Sequence, residues 1–182
     1  MAYSTRIMTA DELLAMPDDG KCYELIQGEL RMMLPAGGRH GRIALKLGRR
    51  IGDHVEQHQL GETFAAETGF LLQRDPDTVR ATDVAFVSHG RLGTLANEPG
   101  YLPVVPDLVA EVVSPNDRSS DIEGKVLDWL AAGALAVLVV DPQTQTVRDY
   151  RSTGTIQIYS AGSIDLGSVI QGLELNVSEL FS

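Results

Sequence analysis

Residues 107–114, read as Asp-Leu-Val-Ala-Glu-Val-Val-Ser, constrain the fold more than any other part of the chain. Successive side chains of a strand point to opposite faces. Here both faces are apolar, so each needs a covering layer. Residues 135–140 read the same way. Two such strands call for an interior sheet between helices, an α/β (α+β) architecture rather than a half-solvated antiparallel sheet. The 182 residues suit a single domain, residues 1–182, and 43% hydrophobic content is enough to pack its core.

The other segments supply the layers. Thr9 and Glu12 have capping-box spacing ahead of a short helix that Pro17 ends. Residues 23–26 and 29–34 flank Gln27-Gly28, a tight-turn pair that predicts a hairpin. A long helix is predicted from about residue 39 to 58, with Ile43, Leu47, Ile51 and Val55 recurring every fourth residue. Residues 62–73 and 78–88 read as strands separated by Asp75-Pro76-Asp77. An irregular stretch runs through Asn97, Pro99 and Gly100. A second helix starts near Ser120, with Glu123 in capping-box position, and ends before Gly133. Residues 146–151 and 155–160 form a closing hairpin. The order implies a mixed sheet flanked by helices, without repeats or linkers.

The formal net charge of −10 argues against nucleic-acid binding through bulk electrostatics, so any such contact needs a local basic patch. Cys22 stands alone, which rules out an intramolecular disulfide and a cysteine-based zinc site. The opening Met-Ala-Tyr-Ser-Thr-Arg has no apolar signal core, and the near-apolar run of residues 130–140 stops at Asp141, short of the ~18 residues of a membrane span. A cytoplasmic chain is expected.

Two acids stand out among the apolar positions. Alternation puts Val79, Ala81, Asp83, Ala85 and Val87 on one strand face, and Val109, Glu111 and Val113 on another. A buried carboxylate without a partner is costly, so each needs a cation, a donor network or water. Two in adjacent strands suggest a shared hard cation such as Mg²⁺. The plainer alternative pairs Asp83 with a basic side chain and points Glu111 past a strand end. Glu24, between Tyr23 and Leu25, fits an exposed strand position as well as a functional one. Lys125 falls at the margin of the stripe formed by Ile122, Val126, Trp129 and Leu130. There its stem can pack while its ammonium reaches a site, or it can pair with Asp121 four residues back.

No acidic residue lies between Arg31 and Arg50. On a helix, Arg39, Arg42, Lys46, Arg49 and Arg50 share an arc of about 100° opposite the apolar stripe. Such a face could meet phosphates, with His40 at its start, or it could be solvated and tied by pairs such as Arg49 to Asp53.

The chain resembles the Uma-type restriction endonuclease family, long known as a domain of unknown function. The landmarks are Tyr23-Glu24-Leu25-Ile26-Gln27-Gly28-Glu29-Leu30, Arg39-His40 and Asp83-Val84-Ala85-Phe86-Val87. They continue with Pro106 through Pro115, Asp121, Lys125, Ala131-Ala132-Gly133 and Val139-Val140-Asp141-Pro142. The resemblance implies the PD-(D/E)XK nuclease fold and Mg²⁺-dependent cleavage of DNA, with Mn²⁺ as a substitute ion. DNA is the expected partner, a homodimer is an open arrangement, and no membrane is involved. By position, Asp83 and Glu111 would hold the metal, Glu24 would be an additional catalytic acid, and Arg39, His40, Arg42, Lys46 and Arg49 would meet nucleic acid. The usual lysine two residues after the second acid is Val113 here, and the family supplies it from the next helix, as Lys125. Thr82 stands where a proline is expected, and Trp129 where a tyrosine is expected. A non-catalytic binding module on the same fold is the alternative, as is hydrolysis of another phosphoester.

Overall fold

The computed structural model describes residues 7–93 and 99–182. The readings made above on the N-terminal hexapeptide and on Asn97 lie outside them.

Every residue of β7 (Leu108–Val112) is buried, as its two-sided apolar pattern requires. It pairs in parallel with β8 (Ala136–Asp141), from Leu108↔Ala136 to Val112↔Val140. Parallel neighbours need a crossover, which α4 (Ser119–Ala132) provides before ending at Gly133 with φ 115°. β9 (Thr146–Arg151) and β10 (Ile156–Tyr159) extend the sheet on one side. β6 (Val84–Ser88) and β3 (Gly61–Ala65) complete it on the other, in the order β10-β9-β8-β7-β6-β3. All pairs except β7–β8 are antiparallel.

Alternation along β7 sorts the layers. Leu108, Ala110 and Val112 pack with Ile43, Leu47, Ile51 and Val55 of α2 (Gly38–His58). Val109 packs with Ile122, Val126 and Trp129 of α4. Glu111 therefore points to the α4 side. A smaller sheet, β2-β1-β5-β4, joins β1 (Cys22–Ile26), β2 (Glu29–Met33), β4 (Gly69–Gln73) and β5 (Thr78–Ala81). The β1–β2 turn has φ 49° at Gln27 and 79° at Gly28, the pair of left-handed residues that a two-residue hairpin prefers. Ahead of it, α1 (Ala10–Leu14) opens on the expected capping box between Thr9 and Glu12. The short α3 (His89–Leu92) follows β6.

Three readings are corrected. Residues 62–73 are two strands, because the chain turns at Glu67 (φ 70°) and β4 joins the other sheet. Residues 78–88 also divide: β5 ends at Ala81 and β6 begins at Val84 in a different sheet. Asp83 thus sits at a strand junction, not in the middle of an apolar strand face. At α4 the Ser120–Glu123 capping box does not form. The helix starts one residue earlier with no side-chain cap, and Glu123 accepts instead from Arg148 at 3.2 Å and the Tyr150 hydroxyl at 2.8 Å.

Beyond residue 160, where no element was read, β11 (Ser163–Asp165), β12 (Glu174–Asn176) and α5 (Val177–Phe181) follow. Ile164, Leu166, Leu175 and Leu180 cover the core on the α2 side. No helix among the described residues is long and apolar enough to cross a membrane.

Candidate active site

The break between β5 and β6 builds one wall of the site. Thr82 donates its hydroxyl to the Ala110 carbonyl at 2.8 Å, and the next residue, Asp83, accepts the Val112 N–H at 2.7 Å. Together they continue the β6–β7 ladder with side chains where strand pairing stops. A proline in place of Thr82 could not donate that bond. The same oxygen of Asp83, Oδ2, lies 3.1 Å from His40 Nε2 at the start of α2. Oδ1 takes no hydrogen bond among the described residues.

Glu111 forms the second wall. It is 8% exposed, and its alternation in β7 aims it at α4. Lys125 and Trp129 are four apart on that helix and so share a face. Trp129 Nε1 donates to Glu111 Oε1 at 3.1 Å, and Lys125 Nζ lies 3.5 Å from Oε2. The tryptophan thus serves the acid directly, a role that the missing tyrosine hydroxyl did not suggest. Lys125 Nζ is also 3.3 Å from Glu24 Oε1, which settles its partner as these two acids rather than Asp121. Glu24 is 4% exposed, so the reading of it as an exposed strand residue fails. Its Oε1 accepts the Ala81 N–H at 3.1 Å and its Oε2 accepts Arg80 at 2.8 Å.

Asp83, Glu111, Lys125, Glu24 and His40 are therefore neighbours, and His40, read as a phosphate contact or an aid to the turn, also has Asp83 as a partner. Arg80 and Asp128 were missed. The available signal was an arginine amid buried strand positions of β5. Glu111 is pushed up from 4.5 to about 7, chiefly by burial and further by the charges of Asp83 and Glu24; Lys125 and the Trp129 bond pull the other way. The Asp83 hydrogen bond lifts His40 above its usual value despite burial. Burial depresses Lys125, but Glu111 and Glu24 outweigh it and keep the ammonium charged.

The donor set suits a hard cation. No three His, Cys, Asp or Glu side chains among the described residues already form a metal cage. Mg²⁺, however, commonly takes one or two carboxylates and keeps its waters. Asp83 and Glu111 are close enough for the charge of one to raise the pKa of the other.

The basic face lies on α2, and much of it is paired within the molecule. Arg42 donates to the Ser182 backbone oxygen at 3.2 Å; Lys46 meets the same oxygen, and Arg50 pairs with Glu179. Arg49 holds Asp53 at 3.4 Å. Arg39 is exposed and has no ion pair among the described residues.

A mixed sheet with helices on both faces, the acids at the ends of its central strands, is the architecture of the restriction-endonuclease-like nucleases. The chain belongs to the Uma2 family, described as putative restriction endonuclease, whose family model matches residues 10–178. Its fold is similar to that of a crystallised putative nuclease of the DUF820 family from Anabaena variabilis. The TM-score is 0.81 at 22% identity, over 96% of this chain and 97% of that one. No curated protein matches the sequence.

The raised Glu111 sets a sign for pH dependence. Folded Glu111 keeps its proton up to about 7, whereas the unfolded chain releases it near 4.5. The metal-free protein should lose stability as pH rises through that window. His40 acts in the same direction, since its raised folded value gives stability that is lost as pH rises through it. A cation that replaces the Glu111 proton should bind more tightly as pH rises to about 7 and level off above it. Melting temperatures with and without Mn²⁺ should diverge as pH rises from 5 to about 7 and keep a steady gap from there to 8.5; an ion-induced shift that is constant or shrinks between pH 5 and 7 would refute the assignment.

Proposed function

We propose that this protein is a Mg²⁺-dependent endonuclease that hydrolyses phosphodiester bonds in DNA. The observation that carries the reading is the position of Lys125, whose ammonium lies between the buried carboxylates of Glu24 and Glu111, the second of which feels the charge of Asp83. Asp83 and Glu111 would hold the ion. When bound, Mg²⁺ supplies positive charge that acidifies water and offsets charge on the phosphate. His40 pairs with Asp83 Oδ2, which would leave Oδ1 for the ion. Lys125 orients the attacking water and offers a positive charge to the developing phosphate oxygens. Trp129 closes the site behind Glu111 and excludes solvent from it.

Nucleic acid would approach over the N-terminal end of α2, where His40 already joins the site and Arg39 is available. Arg42, Lys46 and Arg49 continue that face. Their present partners are backbone oxygens and an exposed carboxylate, which phosphates could replace. Arg39→Gln should weaken DNA binding and lower the slope of log affinity against log salt by about one. Replacing Arg42, Lys46 and Arg49 with glutamine should lower it by fewer than three, because each gives up an internal contact to meet phosphate. Filter binding across a salt series reads this, and an unchanged slope in both variants would remove α2 from the interface. Supercoiled plasmid incubated with Mg²⁺ or Mn²⁺ tests the activity itself. Binding without metal-dependent cleavage would instead support a non-catalytic module on the nuclease fold.

A further inference from the structure

Arg80 lies on β5 with its side chain 7% exposed, and two acids from two other elements close on it. Its Nη1 donates to Glu24 Oε2 of β1 at 2.8 Å. Its Nε and Nη2 donate to Asp128 Oδ2 of α4 at 3.0 and 2.5 Å. A guanidinium is a rigid planar fork, so it fixes the angle between two carboxylates as well as their separation. Asp128 follows Lys125 by three residues and occupies the adjacent turn of the same helix. The fork that holds Glu24 therefore also holds the part of α4 that carries the lysine.

Glu24 completes the path. One oxygen faces Arg80, and the other faces the Ala81 N–H and the Lys125 ammonium. Both are engaged by protein donors, which gives this acid the geometry of a strut rather than of a ligand. An apolar contact could join β5 to α4 with less desolvation. It could not set the direction of a carboxylate and, through it, of an ammonium.

We propose that Arg80 is a positioning residue of the site, acting through Glu24 and Asp128 to hold the Lys125 ammonium against Glu111. The inference rests on the reading of Lys125 as the residue that orients water. Glu24 accordingly acts through Lys125 and not on the metal.

Arg80→Lys keeps the buried charge and loses the fork; Asp128→Asn keeps an acceptor and loses the charge. Both are compared with the parent in three measurements at pH 8: calorimetric Mn²⁺ affinity, single-turnover plasmid cleavage at saturating DNA, and the ¹⁵N signal of the Lys125 ammonium, which is visible only when its protons exchange slowly. Arg80→Lys should lose the ammonium signal and about 100-fold in rate, with Mn²⁺ affinity unchanged. Asp128→Asn should lose about tenfold. An intact signal with parental turnover in a folded Arg80→Lys protein overturns the proposal. So does a fall in Mn²⁺ affinity that matches the fall in rate, because Arg80 would then act on the metal site. A parent that cleaves nothing counts against the nuclease reading alone, and the ammonium signal then decides the role of Arg80 by itself.

Discussion

Lys125→Met should reduce metal-dependent cleavage by about 100- to 10,000-fold while leaving the fold intact. Methionine keeps most of the packing of the lysine stem beside Trp129 and deletes the charge between Glu24 and Glu111. Glu24 remains held by Arg80 and by the Ala81 N–H, so one acid is still satisfied. Glu111 loses the cation that most lowers its pKa, so it should titrate higher than about 7 in the variant. Metal affinity is therefore best compared on the high-pH plateau of each protein, where it no longer changes with pH. There it should be equal or slightly tighter, because a like charge has left the site. Lys46→Met serves as the control. That lysine lies on α2, contacts Glu179 of α5 and the adjoining Ser182, and should spare turnover at saturating DNA. Equal single-turnover rates for the parent and Lys125→Met would remove the lysine from the chemistry.

Asp83→Ala and Glu111→Ala should each abolish Mn²⁺ binding in calorimetric titration, with different consequences for stability. Asp83 accepts the Val112 N–H and pairs with His40, so its loss leaves an N–H and an imidazole without their acceptor. A cost of about 1–3 kcal/mol is expected, read as a lower unfolding midpoint. Glu111 is held in an environment that resists its ionisation, and above pH 7 its removal should cost less or even stabilise the metal-free protein. Loss of binding with opposite stability effects would separate a ligand role from general damage. A double variant that binds Mn²⁺ like the parent would refute the site.

Local signals in the chain located the central strands, the long helix and the first hairpin because each depends on neighbours in sequence. The two-sided apolar pattern of residues 107–114 required an interior strand, and β7 is one. The same alternation failed at residues 78–88, since a strand that changes sheets between Ala81 and Val84 keeps an apolar pattern on both sides of the break. The pairing partner that separates β5 from β6 is distant in sequence, so no local rule reports it.

The site divides in the same way. Glu111 was legible as a lone acid among apolar residues, and Lys125 from its place beside Trp129. The bond from Trp129 to Glu111 spans two elements, as does that from His40 to Asp83, and neither spacing announces it. Glu24 looked exposed because Tyr23 and Leu25 flank it evenly. Its burial comes from β5 and α4, which reach it through Arg80 and Lys125. The C-terminal cover of the core, β11 through α5, consists of elements of three to five residues, too short to carry a readable period.

Cleavage of supercoiled plasmid DNA by the purified protein across a Mg²⁺ titration, beside Asp83→Asn and Glu111→Gln, bears most directly on the central claim. Nicked and linear products should appear with Mg²⁺ or Mn²⁺, vanish with EDTA, and fall to background in both variants while DNA binding persists. Cleavage that survives EDTA, or that both variants retain at the parental rate, would contradict metal-dependent hydrolysis at this site.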